Sequence, residues 1–345
     1  MARICILGGG LVGRFVACEL LKRNHHIFLI DSEKIEGLPK EISLLQSHVY
    51  PNTISDLISG YNIIVNCLPG RIGHAIREPL LSIEGLSIAD LAFTAEDPRL
   101  LDELAVKNNC RLIYDVGIAP GLSNMLLVSG QKEMPSLASA KIWVGGNPQK
   151  PDDDWSYMAP FSPSDVIEEY TRPARFRRDG RLMTEPALSE RHLVDVPGYG
   201  EMEAFLTDGA RSLLDTIDCP ELVEYTVRWP GHIQRYLDHS YSEEQLIDAW
   251  KFDKNRPEFT WLSITLREEN KTKRWDIIDE GQGQWSSMAR TTGLVTVEVV
   301  EILSEQLIDD YGVMPPERLG EDKSLLDRIV KKMRESGVQI SEKVI

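Results

Sequence analysis

The first third of the chain alternates short apolar runs with stretches in which apolar residues recur three and four positions apart. The apolar runs are rich in β-branched residues and predict buried parallel strands at 2–7, 27–30, 63–67, 86–90 and 112–114. The intervening stretches predict helices, for example at 73–81 and 98–107. Strands and helices that alternate in this way predict an α/β fold with a doubly wound parallel sheet, in which ligands bind beyond the carboxyl ends of the strands.

A different pattern begins after residue 121. A strand is predicted at 138–144, and residues 165–285 show short strands and turns with no second glycine-rich motif. Within this region, 259–267 and 272–279 predict an antiparallel hairpin. We interpret the region as a separate α+β domain with an open, largely antiparallel sheet.

Helical patterns return at 287–303 and 324–333, with no strand pattern of their own. Because such helices need an apolar surface to pack on, we expect them to return to the first sheet. The predicted organisation is therefore an α/β domain over 1–120, an α+β domain over 121–286, and C-terminal helices over 287–345 that pack on the first domain.

Composition narrows the classes of function. The 345 residues include 54 acidic and 38 basic side chains, a formal charge of −16 that disfavours nucleic-acid and membrane-surface binding. The five cysteines form no C-x-x-C pair and the seven histidines never stand with acids at ligand spacing, so we expect no disulfide framework and no metal site. No apolar run approaches the ~20 residues that span a bilayer, and a strand pattern begins by Arg3, so we expect neither a membrane span nor a signal peptide. We expect a cytoplasmic protein.

The first strand runs directly into a glycine-rich turn and then a helical pattern. Residues 8–13 read GGGLVG and match the motif G-x-G-x-x-G. Its three glycines are Gly8, Gly10 and Gly13, and Leu11 and Val12 stand between the last two. Gly8 permits the tight turn, Gly10 lets the backbone approach a pyrophosphate at the helix N-terminus, and Gly13 lets the helix pack closely on the strand. The motif in this setting predicts a Rossmann nucleotide-binding domain, the alternative being a glycine turn that binds nothing.

An acidic residue, Asp31, ends the second strand at the spacing expected for a ribose-binding carboxylate. Its charge would repel the 2′-phosphate of NADP, so we predict that the cofactor is NAD. Lys34 stands close enough in sequence to weaken this repulsion but not to remove it.

Four further residues follow strands at the edge where ligands bind. Leu68 and Pro69 come after the 63–67 strand and are expected to line the cofactor site. Asp90 and Asp115 are acids at the nicotinamide end and are candidates for proton transfer. The alternative for each acid is a helix N-cap or a turn residue.

Longer blocks carry a resemblance to a known family. Three stretches resemble the saccharopine dehydrogenase-like family, namely DVGIAPGLSN at 115–124, VGGNP at 144–148 and EEYTRPAR at 168–175. Four more are most similar to its archaeal L-lysine 6-dehydrogenase branch: FLTDGARS at 205–212, RWPGH at 228–232, SSMARTTG at 286–293 and GVMPP at 312–316. The resemblance implies a Rossmann domain to which C-terminal helices return, an α+β domain that forms a homodimer contact, and NAD(P)-linked chemistry at a carbon bearing an amine.

Two positions depart from the saccharopine reductases of this family. Those enzymes tend to carry an acid before Pro-Gly and a cysteine before the paired glycines, where this chain has Ala119 and Val144. Both differences disfavour a large tricarboxylic substrate and suit lysine, although they are also compatible with another amine.

The resemblance implies removal of hydride from the carbon that bears the ε-amine of lysine. The site must hold that amine neutral and anchor the α-carboxylate. Arg211 is the first candidate for the anchor, since the matching family arginine contacts substrate carboxylate and a guanidinium binds a carboxylate through two hydrogen bonds. The alternative for Arg211 is an ion pair with Asp208 or Asp215.

Two further residues of these blocks are candidates. Arg172 is the second choice for the anchor, unless Glu168 or Glu169 holds it structurally. His232 lies in the 228–232 block and is a candidate proton relay near neutrality, the alternative being a structural turn histidine.

Three functions therefore compete. The first is NAD-dependent oxidative deamination of the small amino-acid substrate L-lysine at its ε-amine. We expect this enzyme to be a homodimer. The second is a saccharopine or carboxynorspermidine dehydrogenase-type reaction. The third is a non-catalytic NAD-binding sensor, against which the retained 205–212 and 228–232 blocks count.

Overall fold

The computed structural model describes residues 1–238 and 240–345. Its strands are β1 Arg3–Leu7, β2 His26–Asp31, β3 Ser43–Gln46, β4 Ile63–Asn66, β5 Ser87–Asp90, β6 Arg111–Tyr114, β7 Ser139–Pro148, β8 Ala174–Arg178, β9 Arg181–Glu185, β10 His192–Val196, β11 Gly200–Leu206, β12 Glu221–Arg228, β13 Glu258–Glu268, β14 Lys271–Asp279, β15 Gly312–Met314 and β16 Gln339–Val344.

The helices in chain order are α1 Leu11–Lys22, α2 Ile54–Leu57, α3 Gly70–Leu81, α4 Asp102–Lys107, α5 Leu122–Glu133, α6 Pro163–Thr171, α7 Leu213–Thr216, α8 His232–Asp238, α9 Glu243–Ala249, α10 Ser287–Ser304, α11 Glu317–Glu321 and α12 Lys323–Glu335. A 3₁₀ turn over Pro98–Leu101 leads into α4. Within the described ranges, none of these helices is long and apolar enough to cross a membrane.

The first compact unit contains residues 1–117 and 292–318. Its seven strands form a parallel sheet in the order β3-β2-β1-β4-β5-β6-β15. Strands buried on both faces need apolar side chains throughout, and Cys5, Ile64, Ile88 and Leu112 accordingly belong to one buried cluster. The predicted Rossmann sheet is confirmed. β3 and β15 were not predicted, because β3 is a largely exposed edge strand without a continuous apolar run and β15 has only three residues.

The strand order reverses direction between β1 and β4, which pair in parallel from Ile4 beside Ile63 to Leu7 beside Asn66. In open α/β sheets, such a reversal leaves a crevice at the carboxyl ends of the two strands. Gly8 follows β1 at this position and Cys67 follows β4. The topology therefore brings the glycine loop to the ligand-binding edge of this unit.

The second compact unit contains residues 118–291 and 319–345. Its nine-stranded mixed sheet is mostly antiparallel, as predicted, with the order β10-β11-β12-β7-β13-β14-β16 and with β8 and β9 attached to β12. Only β7 and β12 run parallel to each other among the described pairs. The predicted hairpin is present as β13 and β14, which pair from Thr260 beside Asp279 to Glu268 beside Lys271.

The structure differs from the predicted secondary structure in the middle of the chain. Four helices, α6 to α9, lie within the region predicted to hold short strands and turns. Local capping explains two of them: Pro163 starts α6, and Ser242 and Gln245 form a capping box at α9. Such short helices carry too few turns for their apolar period to stand out.

The C-terminal segment also differs from the prediction. Residues 319–345 group with the second unit rather than with the first. β16 extends the second sheet by pairing with β14, and α12 packs against α5 of the same unit. α12 was expected on the first sheet because β16, which follows it and pairs with β14 of the second sheet, was not predicted.

Candidate functional site

The glycine loop has the close packing that its motif requires. Gly8 adopts φ +93°, and a Cβ there would lie 2.7 Å from the carbonyl oxygen of Cys67. A Cβ at Gly13 would overlap the carbonyl oxygen of Gly8, so α1 reaches β1 only because residue 13 is glycine. At Gly10, by contrast, a Cβ would meet nothing within 4 Å. The backbone of Gly10 is therefore open to a ligand.

Asp31 holds this loop through its carboxylate. Its Oδ2 accepts a hydrogen bond of 2.5 Å from the backbone N–H of Gly9, and its Oδ1 accepts one of 2.7 Å from Glu33. A carboxylate has about four lone-pair sites, so both oxygens retain capacity for ligand hydroxyls. Gly9, which the motif leaves unspecified, is also closely packed, since a Cβ there would overlap the side chain of Ile35.

These residues fit a dinucleotide. The first intrahelical bond of α1 runs from Arg14 N–H to the Gly10 carbonyl, so the preceding N–H groups, including those of Leu11 and Val12, point out of the helix. They lie beside the open backbone of Gly10, where the helix dipole favours an anion. Leu68 and Pro69 follow β4, remain partly exposed and lead into α3.

Asp90 is occupied by an internal ion pair. Arg77 Nε donates to Asp90 Oδ2 over 2.8 Å, and both side chains are completely buried. The backbone N–H of Ala92 donates to Asp90 Oδ1 over 2.7 Å. Arg77 and the Ala92 N–H thus already occupy both oxygens of this carboxylate. These contacts favour a structural role for Asp90 over the proton transfer expected from its position.

Asp115 follows β6, the neighbour of β5, and is buried with 2% of its surface exposed. Its backbone has φ +54°, in the left-handed region that residues other than glycine seldom adopt. Backbone strain of this kind is concentrated at functional sites. The proton-transfer role of Asp115 stays a prediction.

In the second unit, alternate residues of β12 form two contrasting faces. Val223, Tyr225 and Val227 belong to an apolar cluster. The other face presents three polar side chains that are also buried: Glu224, Thr226 and Arg228. Burying polar groups is costly unless they are satisfied or used. The alternation of apolar and polar residues over 223–228 is the sequence signal for this polar row, which was not predicted.

Arg228 is a buried cation, 2% exposed. Its Nε donates to the hydroxyl of Tyr170 and its Nη1 to the carbonyl of Val227, each over 3.0 Å, and its guanidinium lies 4.6 Å from the centre of the Tyr157 ring. Among residues 1–238 and 240–345, no carboxylate forms an ion pair with it. A buried charge is destabilising unless it is paired. The charge of Glu169 acts on Arg228 without a direct contact between them, so this position still favours an anionic ligand.

Asn147 lies beside the same carbonyl. Its Nδ2 donates to the carbonyl of Val227 over 3.1 Å, next to the bond from Arg228. Its Oδ1 is buried, and no described residue donates a hydrogen bond to it. A cationic donor and an open acceptor therefore lie side by side, an arrangement that complements a carboxylate next to an ammonium group.

His232 is held in an aromatic cluster of the same unit. Its Nδ1 donates to the carbonyl of Trp155 and its Nε2 accepts from the hydroxyl of Tyr170, each over 3.0 Å. Burial, together with the charge of Arg228, lowers the pKa of His232 to about 3. Both ring nitrogens are thus engaged by neighbouring groups, which favours a structural role. The role of His232 as a proton relay stays a prediction.

Arg172 and Arg211 are brought together. Burial, and then the nearby charge of Arg211, lower the pKa of Arg172. Arg211 adopts φ +50° and is 7% exposed. Asp208, one of the acids considered as its partner, is bound by Arg175 through two bonds of 2.8 Å. Both arginines stay predictions as anchors for a substrate carboxylate.

The fold and the glycine loop define a nucleotide-binding α/β protein of the dehydrogenase type. Residues 117–338, more than half of the chain, match the saccharopine dehydrogenase C-terminal domain family. The chain belongs to this family, which confirms the family predicted from the sequence blocks and places the chain among dehydrogenases. In the part of the chain that the structure describes, no group of three His, Cys, Asp or Glu side chains is arranged to hold a metal.

One solved structure shares the fold over the whole chain. Apo saccharopine dehydrogenase (L-Glu forming) from Saccharomyces cerevisiae is 14% identical and matches with a TM-score of 0.79, covering 100% of both chains. At this identity, the likeness extends to the fold alone. The C. glutamicum DAP dehydrogenase in complex with DAP is 10% identical, covering 96% of this chain and 98% of that chain, and its TM-score of 0.47 is too low to carry an argument.

Proposed function

We propose that the protein is an NAD-dependent L-lysine 6-dehydrogenase. The reaction oxidises the carbon that bears the ε-amine and yields NADH, ammonia and a semialdehyde that cyclises to a piperideine carboxylate. The observation that supports an amino-acid substrate is that the buried Arg228 lies beside Asn147, whose Oδ1 accepts no hydrogen bond from a described residue. The choice of lysine rests on the resemblance of the sequence blocks and on Ala119 and Val144.

The first unit would hold the cofactor. The N–H groups of Leu11 and Val12 would bind the pyrophosphate beside the open backbone of Gly10, and Asp31 would accept hydrogen bonds from the ribose. When bound, NAD supplies the hydride acceptor. The charge of Asp31 supports NAD over NADP.

The second unit would hold the amino-acid end of the substrate. Arg228 would pair with the α-carboxylate, and Asn147 Oδ1 would accept a hydrogen bond from the adjacent ammonium group. The rings of Tyr157 and Tyr170 exclude water around Arg228 and so strengthen the pairing. The ε-ammonium group has a solution pKa of about 10.4, so the site must also accept a proton before hydride can leave.

A saccharopine-type enzyme is the second candidate. The observation in its favour is that Arg172 and Arg211 lie together in addition to Arg228, which provides positive charge for more than one carboxylate. A substrate with three carboxylates would use all of these positions, whereas lysine needs one.

The deciding experiment combines purified protein, lysine and NAD and follows NADH absorbance and ammonia release. A lysine 6-dehydrogenase gives both signals with no further substrate. Silence with lysine, followed by NADH formation with saccharopine or carboxynorspermidine, would establish the second candidate. Binding of NAD without turnover of any amino acid or polyamine would identify a sensor.

A further inference from the structure

Four oxygen atoms form a continuous chain in the second unit. Thr207 Oγ1 lies 2.6 Å from Glu224 Oε2 and 2.8 Å from Thr226 Oγ1. Thr226 Oγ1 lies 2.5 Å from Glu169 Oε1. Two carboxyl groups, on β12 and α6, are thus joined by two hydroxyl groups through three short contacts.

The number of hydrogen atoms determines the protonation of this chain. Three hydrogen bonds require three hydrogens, and the hydroxyls of Thr207 and Thr226 supply two. An ionised carboxylate supplies none. If Glu224 and Glu169 were both ionised and each accepted from its neighbouring hydroxyl, no hydrogen would remain between the oxygens of Thr207 and Thr226. The geometry is complete only when one of the two carboxyl groups is protonated.

A second buried glutamate shows the contrast. Glu258 accepts from the backbone N–H and the hydroxyl of Ser287, whose oxygen lies 2.7 Å from Thr260 Oγ1. These three contacts already have three hydrogens, one from the N–H and two from the hydroxyls. Burial raises the pKa of Glu258 as well, but the hydrogen bonds from Ser287 act against this. The network around Glu258 is complete with an ionised carboxylate, whereas that around Glu224 is one hydrogen short.

The two ends of the oxygen chain differ in exposure. Glu224, Thr207 and Thr226 are each 3% exposed, whereas Glu169 is partly exposed. Burial raises the pKa of Glu224 to about 8. The negative charges of Glu169 and Asp208 also raise the pKa of Glu224. At the other end, Glu169 interacts electrostatically with four neighbours: Tyr157, Tyr170, Arg172 and Arg228.

We propose that Glu224 and Glu169 share one proton through Thr207 and Thr226 and form an acid–base site of the second unit. With the proton on Glu224, each hydroxyl donates toward Glu169. With the proton on Glu169, both hydroxyls reverse and donate toward Glu224. Both arrangements satisfy all three bonds, so a proton taken up at the partly exposed end is delivered to the buried end.

For the proposed lysine oxidation, on which this step rests, the pair is a proton acceptor. When the pair lacks its shared proton, an N–H bond of the substrate's ε-ammonium group breaks and an O–H bond forms at Glu169. The hydroxyl protons of Thr226 and Thr207 then shift along the chain, which leaves Glu224 protonated and Glu169 ionised. The amine is left neutral, as hydride loss requires.

The shared proton is tested on the protein without substrate. Infrared spectra recorded below and above pH 8 should show a protonated-carboxyl stretch that disappears at the higher pH. Glu224→Gln should remove this band and one titrating proton per chain, because the amide does not ionise. Glu258→Gln is the matched control and should keep both. The proposal is overturned if the band persists in both variants, or if only Glu258→Gln removes it.

The relay is tested with Thr226→Val, which removes the middle hydroxyl and keeps the shape of the side chain. It should shift the pH at which the carboxyl band disappears, and, if lysine is a substrate, the apparent pKa of kcat. Thr296→Val removes a buried hydroxyl that donates only to backbone carbonyls and should change neither. An unchanged band in Thr226→Val contradicts the relay. If lysine proves not to be a substrate, the band still decides the shared proton.

Discussion

The guanidinium carbon of Arg228 lies 4.6 Å from the centre of the Tyr157 ring. A cation over an aromatic ring gains about 0.5–2 kcal/mol. Removing an ion from water costs several kcal/mol, so the ring offsets only part of the cost of burying Arg228. The remainder is the physical reason to expect an anion at this position when the protein is loaded.

Replacing Arg228 with Gln should therefore raise the KM for lysine strongly. Losing one partner of a desolvated charge pair costs roughly 2–5 kcal/mol, so kcat/KM should fall at least about tenfold. Arg211→Gln and Arg172→Gln, measured in parallel, show whether the originally predicted anchors carry the carboxylate instead. The affinity for NAD should stay the same in all three.

Arg178→Gln is the control for this series, because Arg178 forms a partly exposed ion pair with Glu190. Such pairs contribute about 0–1 kcal/mol, so its lysine kinetics should match those of the unmodified protein. A normal KM in Arg228→Gln together with a raised KM in Arg211→Gln would move the anchor to Arg211.

Two glycine substitutions separate cofactor binding from folding. Gly10→Ala adds a methyl group in open space and should leave the free energy of unfolding within about 1 kcal/mol, yet weaken NAD binding. Gly13→Ala drives its methyl group into the Gly8 carbonyl and should lower the free energy of unfolding by about 1–3 kcal/mol. Denaturant unfolding and NAD titration measure the two effects. Unchanged NAD affinity in Gly10→Ala would contradict a pyrophosphate at this loop.

The cofactor preference is tested at Asp31. The unmodified protein should have a higher kcat/KM with NAD than with NADP, and Asp31→Ser should narrow the difference by removing the charge. Asp31→Asn is the sharper variant, since its side-chain oxygen still accepts from the backbone N–H of Gly9. Equal kcat/KM values for both cofactors in the unmodified protein would refute the preference for NAD.

The ion pair of Asp90 and Arg77 predicts a loss of stability rather than of chemistry. Asp90→Asn leaves the buried guanidinium of Arg77 uncompensated, which costs about 3–5 kcal/mol. Asp97→Asn breaks the exposed pair with Arg99 and should cost at most about 1 kcal/mol. For Asp90→Asn, kcat per folded molecule should stay unchanged. A large fall in kcat with normal stability would restore Asp90 as a proton-transfer residue.

The sequence predicted the elements whose signal is local. Strands with continuous apolar runs, such as β1 and β4, leave a clear pattern because both faces of the sheet are buried. The glycine loop that joins β1 to α1 is also a local signal. β16 could not be predicted in this way. Most of its residues are exposed, and its position depends on the edge of β14, which is far away in sequence.

The polar contacts of the candidate site were the least predictable part. The sequence placed Asp90 at the right edge of the sheet but could not show that Arg77, 13 residues away, binds it. Likewise the pairing of Glu224 with Glu169 depends on α6 packing against β12, a tertiary contact. Buried polar partners are set by packing between distant elements, so a motif identifies the position of a side chain more reliably than its role.

The last prediction concerns His232 and acid stability. Its folded-state pKa of about 3 lies below the ordinary value of 6.5, so between these values the unfolded chain binds a proton that the folded protein does not. The stability contributed by neutral His232 is complete above pH 6.5 and is lost as the pH falls toward 3. One pKa unit corresponds to about 1.4 kcal/mol, which is the upper limit for the loss per pH unit from this residue.

His232→Asn keeps a donor for the carbonyl of Trp155 and does not titrate. Denaturant unfolding as a function of pH should show a free energy of unfolding that falls less steeply below pH 6.5 in this variant than in the unmodified protein. His26→Gln, at an exposed histidine, should retain the original slope. Because His232 stays neutral near pH 7, the shape of the pH–rate profile should be the same with and without it. A histidine-like ionisation that vanishes from that profile in His232→Asn would show instead that His232 relays protons.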